Sequence, residues 1–224
     1  MTPLPRLHLV TDDAVLADPS FADVAGRVLE TCGAGVALHV RGHATSGAQL
    51  HALTDRLRHA AVASGAWLLV NDRVDIAMAV CASGVQLGAR SMPVSDARRL
   101  LGDAACIGCS VHDAGEAVQA QRDGADFVLL GTIYESVSHP GQRAAGSDLV
   151  RDAAERTTLP VIAIGGITPD RIKAIAAAGA YGAAVLGGIW RAAGPAAAAA
   201  AYMEGARAAW PYAQRDEHQH GRTA

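Results

Sequence analysis

Val161-Ile162-Ala163-Ile164-Gly165-Gly166-Ile167-Thr168-Pro169-Asp170 and, about twenty residues on, Val185-Leu186-Gly187-Gly188-Ile189 repeat one device: an apolar run that breaks into a glycine pair. Each reads as a strand turning into a helix. Gly165 and Gly166 lack Cβ atoms, which leaves their N–H groups approachable by an anion. Thr168 as N-cap, Pro169 at the first helical position and Asp170 then open a helix, and such a helix start favours a phosphate. Glycine also serves where a helix and a strand merely pack closely, so one pair decides little. Two pairs at successive strand ends, closing a chain of alternating strands and helices, predict a (β/α)8 barrel with a phosphate site made by the loops after strands 7 and 8.

Working outward, eight short apolar runs occupy residues 7–11, 35–40, 67–71, 84–87, 105–109, 126–130, 160–164 and 181–186. They are rich in Val, Ile, Leu and Ala, as strands buried on both faces are. Helical spacing fills the intervals at 21–32, 49–64, 74–81, 95–101, 114–123, 148–157 and 169–178, with a last helix from 189 to about 210. The succession implies right-handed crossovers and a parallel sheet. The alanine-rich stretch 195–201 is read as part of that last helix, alanine being the best helix former. Residues 1–210 thus form one α/β domain, a TIM barrel. Residues 211–224, which are polar after Pro211 and include His218 and His220, are expected to be a disordered tail.

The chain has 224 residues, within the range of a single barrel domain. A net charge of −3 offers no electrostatic case for nucleic acid or an anionic membrane surface. No apolar run is long enough to span a bilayer and the first residues lack a signal-peptide pattern, so the expected location is cytoplasmic. Cys32, Cys81, Cys106 and Cys109 are not spaced as a disulfide framework and are expected to be reduced thiols. Cys106 and Cys109 spell C-x-x-C, but an offset of three along a strand sends the side chains to opposite faces, and no second pair completes a zinc site. No metal site is expected. The sequence leaves homo-oligomerisation open.

In a barrel the reactive groups sit at the carboxyl ends of the strands. Strand 2 ends in His39-Val40-Arg41-Gly42-His43, where alternation puts His39 and Arg41 on one face and offers the Arg41 fork to a carboxylate or phosphate. Strand 3 ends at Asn71, whose amide can both donate and accept, followed by Asp72 and Arg73, which equally suit a helix cap. Gln86 is a polar residue inside an otherwise apolar strand and needs a partner, either in the core or on a ligand. After strand 5, Ser110 and His112 share parity, and a histidine at the catalytic end of a strand can both accept and donate a proton in acid/base work. The loop from Gly131 to Gly141 is long and polar enough to serve as a lid.

Over residues 7–209 the chain resembles the thiamin phosphate synthase and thiazole tautomerase superfamily. The resemblance rests on Leu9-Val10-Thr11-Asp12, His39-Val40-Arg41, Asn71-Asp72-Arg73-Val74-Asp75-Ile76-Ala77, Gly108-Cys109-Ser110-Val111-His112, Gly124-Ala125-Asp126-Phe127-Val128-Leu129-Leu130-Gly131 and the run from Pro160 to Arg171. It implies a thiazole phosphate ligand held by Gly165, Gly166, Gly187 and Gly188. Against the synthase pattern, His43 stands where a Lys is usual, Ser91 where an Asp helps to hold magnesium, and His139 where the lid carries a Lys. A serine cannot supply a carboxylate's charge to a hard cation.

These departures favour the tautomerase branch: an isomerase that aromatises a carboxythiazole phosphate without cofactor or metal. His112 would then be the acid/base, with Arg41 or Asn71 orienting the ring and Gln86 and Ser110 lining the site. Two alternatives share the pocket. One is a magnesium-dependent synthase joining hydroxymethylpyrimidine diphosphate to thiazole phosphate; the other is a non-catalytic, regulatory thiazole-phosphate-binding protein.

Overall fold

A computed structural model describes residues 3–135 and 144–211. Eight strands, β1 (Leu7–Val10), β2 (Val36–Val40), β3 (Trp67–Asn71), β4 (Gly84–Leu87), β5 (Cys106–Val111), β6 (Phe127–Leu130), β7 (Val161–Ile164) and β8 (Gly182–Val185), pair in parallel and in sequence order. β8 pairs with β1 through Leu7 opposite Ala183 and Leu9 opposite Val185, which closes the barrel. β1, β2, β6 and β8 are buried along their whole length, which is why the strands read in sequence as largely apolar runs, with His8, His39, Gln86 and Ser110 as polar insertions.

The helices are α1 (Asp13–Leu16), α2 (Phe21–Cys32), α3 (Gly47–Ser64), α4 (Val74–Ala79), α5 (Val94–Leu101), α6 (Ala114–Arg122), α7 (Ser147–Arg156), α8 (Ile172–Ala177), α9 (Gly187–Trp190) and α10 (Pro195–Ala209). Start signals are explicit. Ser46 and Gln49 form a reciprocal capping box on α3, and Asp113 caps α6 by accepting from the Glu116 N–H.

Four local expectations need correction. β5 continues to Val111 rather than stopping at Cys109, so Ser110 lies within the strand. The last helix is two helices: the chain breaks between Trp190 and Pro195, where Gly194 precedes a proline at the first helical position. Pro169 opens a 3-10 turn, Pro169–Arg171, and α8 follows it; Thr168 occupies the N-cap without a side-chain cap bond. The short α1 after β1 had no counterpart in the periodicity. The proposed lid lies mostly, and the tail apart from Pro211 entirely, outside the described residues.

Two apolar layers follow from strand alternation. Outward side chains such as Leu7, Leu9, Leu38 and Val128 meet the helices in the larger core. Inward ones, including Val10, Ala37, Leu69, Phe127, Leu129, Ile162 and Ala184, fill the barrel itself. Cys106 belongs to this inner set whereas Cys109 packs on the outer one, so the C-x-x-C residues do face opposite ways. Burial pushes the Cys106 thiol up to about 12, so it stays protonated. Gly108 is required here: a Cβ would lie 2.2 Å from both Phe127 Cζ and Gln86 Oε1. Among the described residues no helix is long and apolar enough to cross a membrane.

Candidate active site

The carboxyl ends of the strands surround a cavity of about 1110 Å³, lined by Arg41, Asn71, Ser110, His112, Gly165, Gly166, Gly187 and Gly188 among others. Gln86 alone of the sequence-predicted residues does not line it. It is fully buried behind the wall, where its Nε2 donates to Ser110 Oγ at 3.0 Å.

On the β7–β8 side, the glycine turns divide their duties. Gly165 (φ +104°) and Gly166 (φ +60°) lie against the chain leaving β6: Tyr134 N donates to Gly165 O at 3.0 Å, and a Cβ on Gly166 would stand 2.4 Å from Glu135 O. Close packing is therefore one reason for these glycines. Gly188 packs on Tyr202, whose hydroxyl donates to Ile167 O at 2.9 Å. Gly187 is different, because a Cβ there would meet only the Arg191 side chain, at 3.6 Å or more. Two arginines flank the turns. Arg171 donates to Gly166 O at 2.6 Å and lies 4.6 Å over the Tyr134 ring; Arg191 is held by Asp12 at 3.0 Å.

Across the barrel, the β2–β4 side carries a second group of cations. Arg41 Nη2 lies 2.5 Å from His43 Nε2, and Arg90 lines the same edge. Two residues from the β1 end build this side. The Thr11 hydroxyl accepts from Arg41 N at 2.8 Å and donates to Arg41 O at 2.9 Å, fixing the backbone that carries the guanidinium. Asp13 accepts from the N–H groups of His43, Ala44 and Thr45 and from the Thr45 hydroxyl, pinning the turn that carries His43. Burial alone would raise the Asp13 carboxyl, but these bonds outweigh it and hold the group below the usual carboxylate range. Asp72, at φ +63°, accepts at Oδ1 from Gly88 N (3.0 Å) and from the Ser91 hydroxyl.

His112 sits at the rim. Glu116 Oε2 accepts from its backbone N–H at 2.6 Å and lies 3.1 Å from Nδ1, so the carboxylate orients the ring. Val10, Leu129, Ile164 and Ala184 give the cavity an apolar floor between the two cationic sides. Reading residues off strand ends found Arg41, Asn71, Ser110 and His112 but not Arg171, Arg191, Asp13 or Glu116. The latter lie on helices or in a helical turn, where a charged residue looks like solvated surface. The one usable signal was proximity: Arg191 follows the second glycine pair by three residues.

Comparison with known proteins gives this site a family. Residues 7–189 match the family model described as thiamine monophosphate synthase. The bifunctional thiamine biosynthesis protein ThiM/ThiE of Symbiobacterium thermophilum is 46% identical over 163 residues, which are 72% of this chain and 34% of that protein; the chain thus spans about a third of its length. The thiamine-phosphate synthase of Salinispora arenicola is 38% identical over 91% of this chain and 98% of its own. Among solved structures, thiamine phosphate pyrophosphorylase from Pyrococcus furiosus superposes with a TM-score of 0.80 at 27% identity, covering 91% of this chain and 96% of that one.

These relatives overturn the tautomerase expectation. The departures at His43, Ser91 and His139 imply the loss of a diphosphate site; His139 lies outside the described residues, and the β2–β4 side keeps Arg41, Arg90 and the Asp72 carboxylate. Changed residues did not remove its charge. With most of its barrel matched and with full-length synthases among its relatives, the chain belongs to the thiamine monophosphate synthase family.

Proposed function

We propose that the chain is a transferase that joins hydroxymethylpyrimidine diphosphate to thiazole phosphate, giving thiamin phosphate and pyrophosphate. The observation that carries this reading is the cavity with cationic groups on two opposite sides and an apolar floor between them. One anionic substrate would need one such side; a phosphate and a diphosphate on two flat rings need both. The thiazole nitrogen bonds to the pyrimidine methylene carbon while the bond from that carbon to the diphosphate oxygen breaks, so pyrophosphate leaves with the electron pair.

The residues divide accordingly. Arg171, Arg191 and the turns at Gly165–Gly166 and Gly187–Gly188 bind the thiazole phosphate. Arg41, His43 and Arg90 bind the diphosphate and stabilise the charge that grows on it as it departs. Holding both rings over one floor supplies proximity, the largest contribution available when little proton transfer is needed. His112 is assigned to hydrogen-bonding at the rim rather than to shuttling a proton, because the condensation itself moves none at the thiazole. Asn71 and Ser110 offer polar contacts to the rings.

Magnesium fits beside Asp72: both bonds from Gly88 and Ser91 go to Oδ1, leaving Oδ2, and a hard cation can take one carboxylate together with phosphate oxygens. When bound it would neutralise the diphosphate. The test is to incubate the protein with both substrates and magnesium and to separate the products. Thiamin phosphate and pyrophosphate in equal amounts are expected; absence of both at saturating substrate would overturn the reading.

A further inference from the structure

Inside the barrel, beneath the cavity, lie two histidines that the proposed reaction does not use. His8 on β1 and His39 on β2 have no solvent exposure. His8 Nε2 lies 3.0 Å from the Pro5 carbonyl oxygen, and His8 Nδ1 lies 2.7 Å from His39 Nε2. Phe127 covers both rings, with centroids 5.3 Å from His8 and 6.4 Å from His39. Asn71 is the next polar group and lines the cavity. His39 Nδ1 and Asn71 Oδ1 are both buried without a hydrogen-bond partner.

The proton positions follow from one fixed end. A carbonyl oxygen only accepts, so His8 Nε2 must carry hydrogen. Burial lowers His8 to about 4; burial, then the neighbouring ring of His8, takes His39 well below the usual histidine value, with Asn71 opposing. Both rings are therefore neutral near pH 7, with one N–H each. His8 Nδ1 is then a bare acceptor, so His39 Nε2 carries the hydrogen that joins the rings, and His39 Nδ1 is bare in turn. A bare nitrogen takes only a donor. With its Oδ1 turned inward Asn71 would set acceptor against acceptor; with its NH2 turned inward it satisfies His39 and sends its carbonyl to the cavity.

We propose that Pro5, His8 and His39 form a one-way hydrogen-bond relay that fixes the Asn71 amide with its carbonyl toward the bound substrate, making His8 and His39 positioning residues that select a hydrogen-bond donor on the ring bound there. The relay belongs to the free protein, so its test does not depend on which reaction the cavity carries out. The chain is labelled with 15N-histidine and 15N-asparagine and followed by long-range proton–nitrogen correlation at pH 7. Two rings in the Nε2–H form are expected, with 15N–15N couplings across hydrogen bonds from His39 Nε2 to His8 Nδ1 and from Asn71 Nδ2 to His39 Nδ1.

In His8→Phe the Nε2–H of His39 loses its acceptor, the ring changes to the Nδ1–H form, and the Asn71 coupling disappears. Wild-type His39 in the Nδ1–H form, or as a cation, overturns the relay. The wild-type spectrum decides even if the variant does not fold. A protein that shows the relay but makes no thiamin phosphate would refute the proposed reaction and leave this inference standing.

Discussion

Gly166→Ala and Gly187→Ala should separate the two duties of a glycine turn, packing and anion approach. At Gly166 the backbone is left-handed (φ +60°), and a Cβ would stand 2.4 Å from Glu135 O and 2.8 Å from Tyr134 Cβ. An alanine in that conformation costs about 1 to 2 kcal/mol. Relieving the overlap with backbone adds roughly 1 to 3 kcal/mol. For a chain of this size each kcal/mol lowers Tm by about 2 to 4 °C, so the variant should melt roughly 4 to 20 °C below wild type. Gly187 is not left-handed, and its nearest atom to an added Cβ is Arg191 Nη1 at 3.6 Å, an ordinary contact. Its stability should therefore change by no more than about 0.5 kcal/mol. The new methyl, however, crowds the anion's path beside Arg191, and losing one charge-assisted bond of about 1.5 kcal/mol means a tenfold weaker phosphate. Thermal unfolding by circular dichroism and calorimetric titration with thiazole phosphate read the two effects. An unchanged Tm for Gly166→Ala, or unchanged affinity for Gly187→Ala, would refute the division.

Ser110→Ala removes the acceptor for the buried Gln86 amide and should cost about 1 to 3 kcal/mol in urea unfolding, most of it recovered when Gln86 is also made Leu; no recovery would mean that the bond is not the cause. Asp13→Ala frees the turn carrying His43 and should weaken inhibition by pyrophosphate severalfold while leaving thiazole phosphate binding intact, as paired inhibition titrations will read; equal loss at both would place the effect in the fold. His8 has a folded value near 4 against 6.5 when unfolded, so the unfolded chain binds the extra proton between those values and stability must fall as pH drops. From pH 7 to pH 5 this amounts to about 2 kcal/mol, and denaturant midpoints that stay level across that range would count against a neutral buried pair.

The barrel was legible because its strands are hidden on both faces. Nothing but apolar residues is tolerated at most of their positions, so eight runs stand out without any alternation. Legibility failed at the end of β5, where a strand runs on through a polar residue, and in the last helix, where a strong local preference masks a break. Ser110 looked like the residue after a strand, yet the inner face of β5 near the barrel mouth opens on the cavity and accommodates a hydroxyl bonded to Gln86. In the last helix the alanine run hid the break before Pro195, although Gly194-Pro195 is itself a start signal. Alternation along β2, β3 and β5 brought Arg41, Asn71 and Ser110 to one cavity, because parity fixes which face a side chain takes. It could not find Arg191, whose partner Asp12 is brought near only when β8 closes on β1.

The same limit explains why residue substitution was a poor guide to chemistry. Setting Ser91 against an expected Asp and His43 against an expected Lys, one at a time, treats each ligand contact as if it had a fixed owner. A charged substrate responds instead to the summed field of the wall it meets, which falls slowly over the few ångströms separating neighbouring side chains. On the β2–β4 side that field is kept by Arg41 and Arg90, while Ser91 acts on the carboxylate that remains by donating to Asp72. A serine that orients an aspartate differs from a second aspartate, but under the proposed function it leaves the wall able to meet a diphosphate. Beneath that wall the requirement is stricter. A buried polar chain tolerates no donor facing a donor, so His8 is tied through His39 to what Asn71 can offer a substrate, whereas the cations on the cavity wall above can trade places.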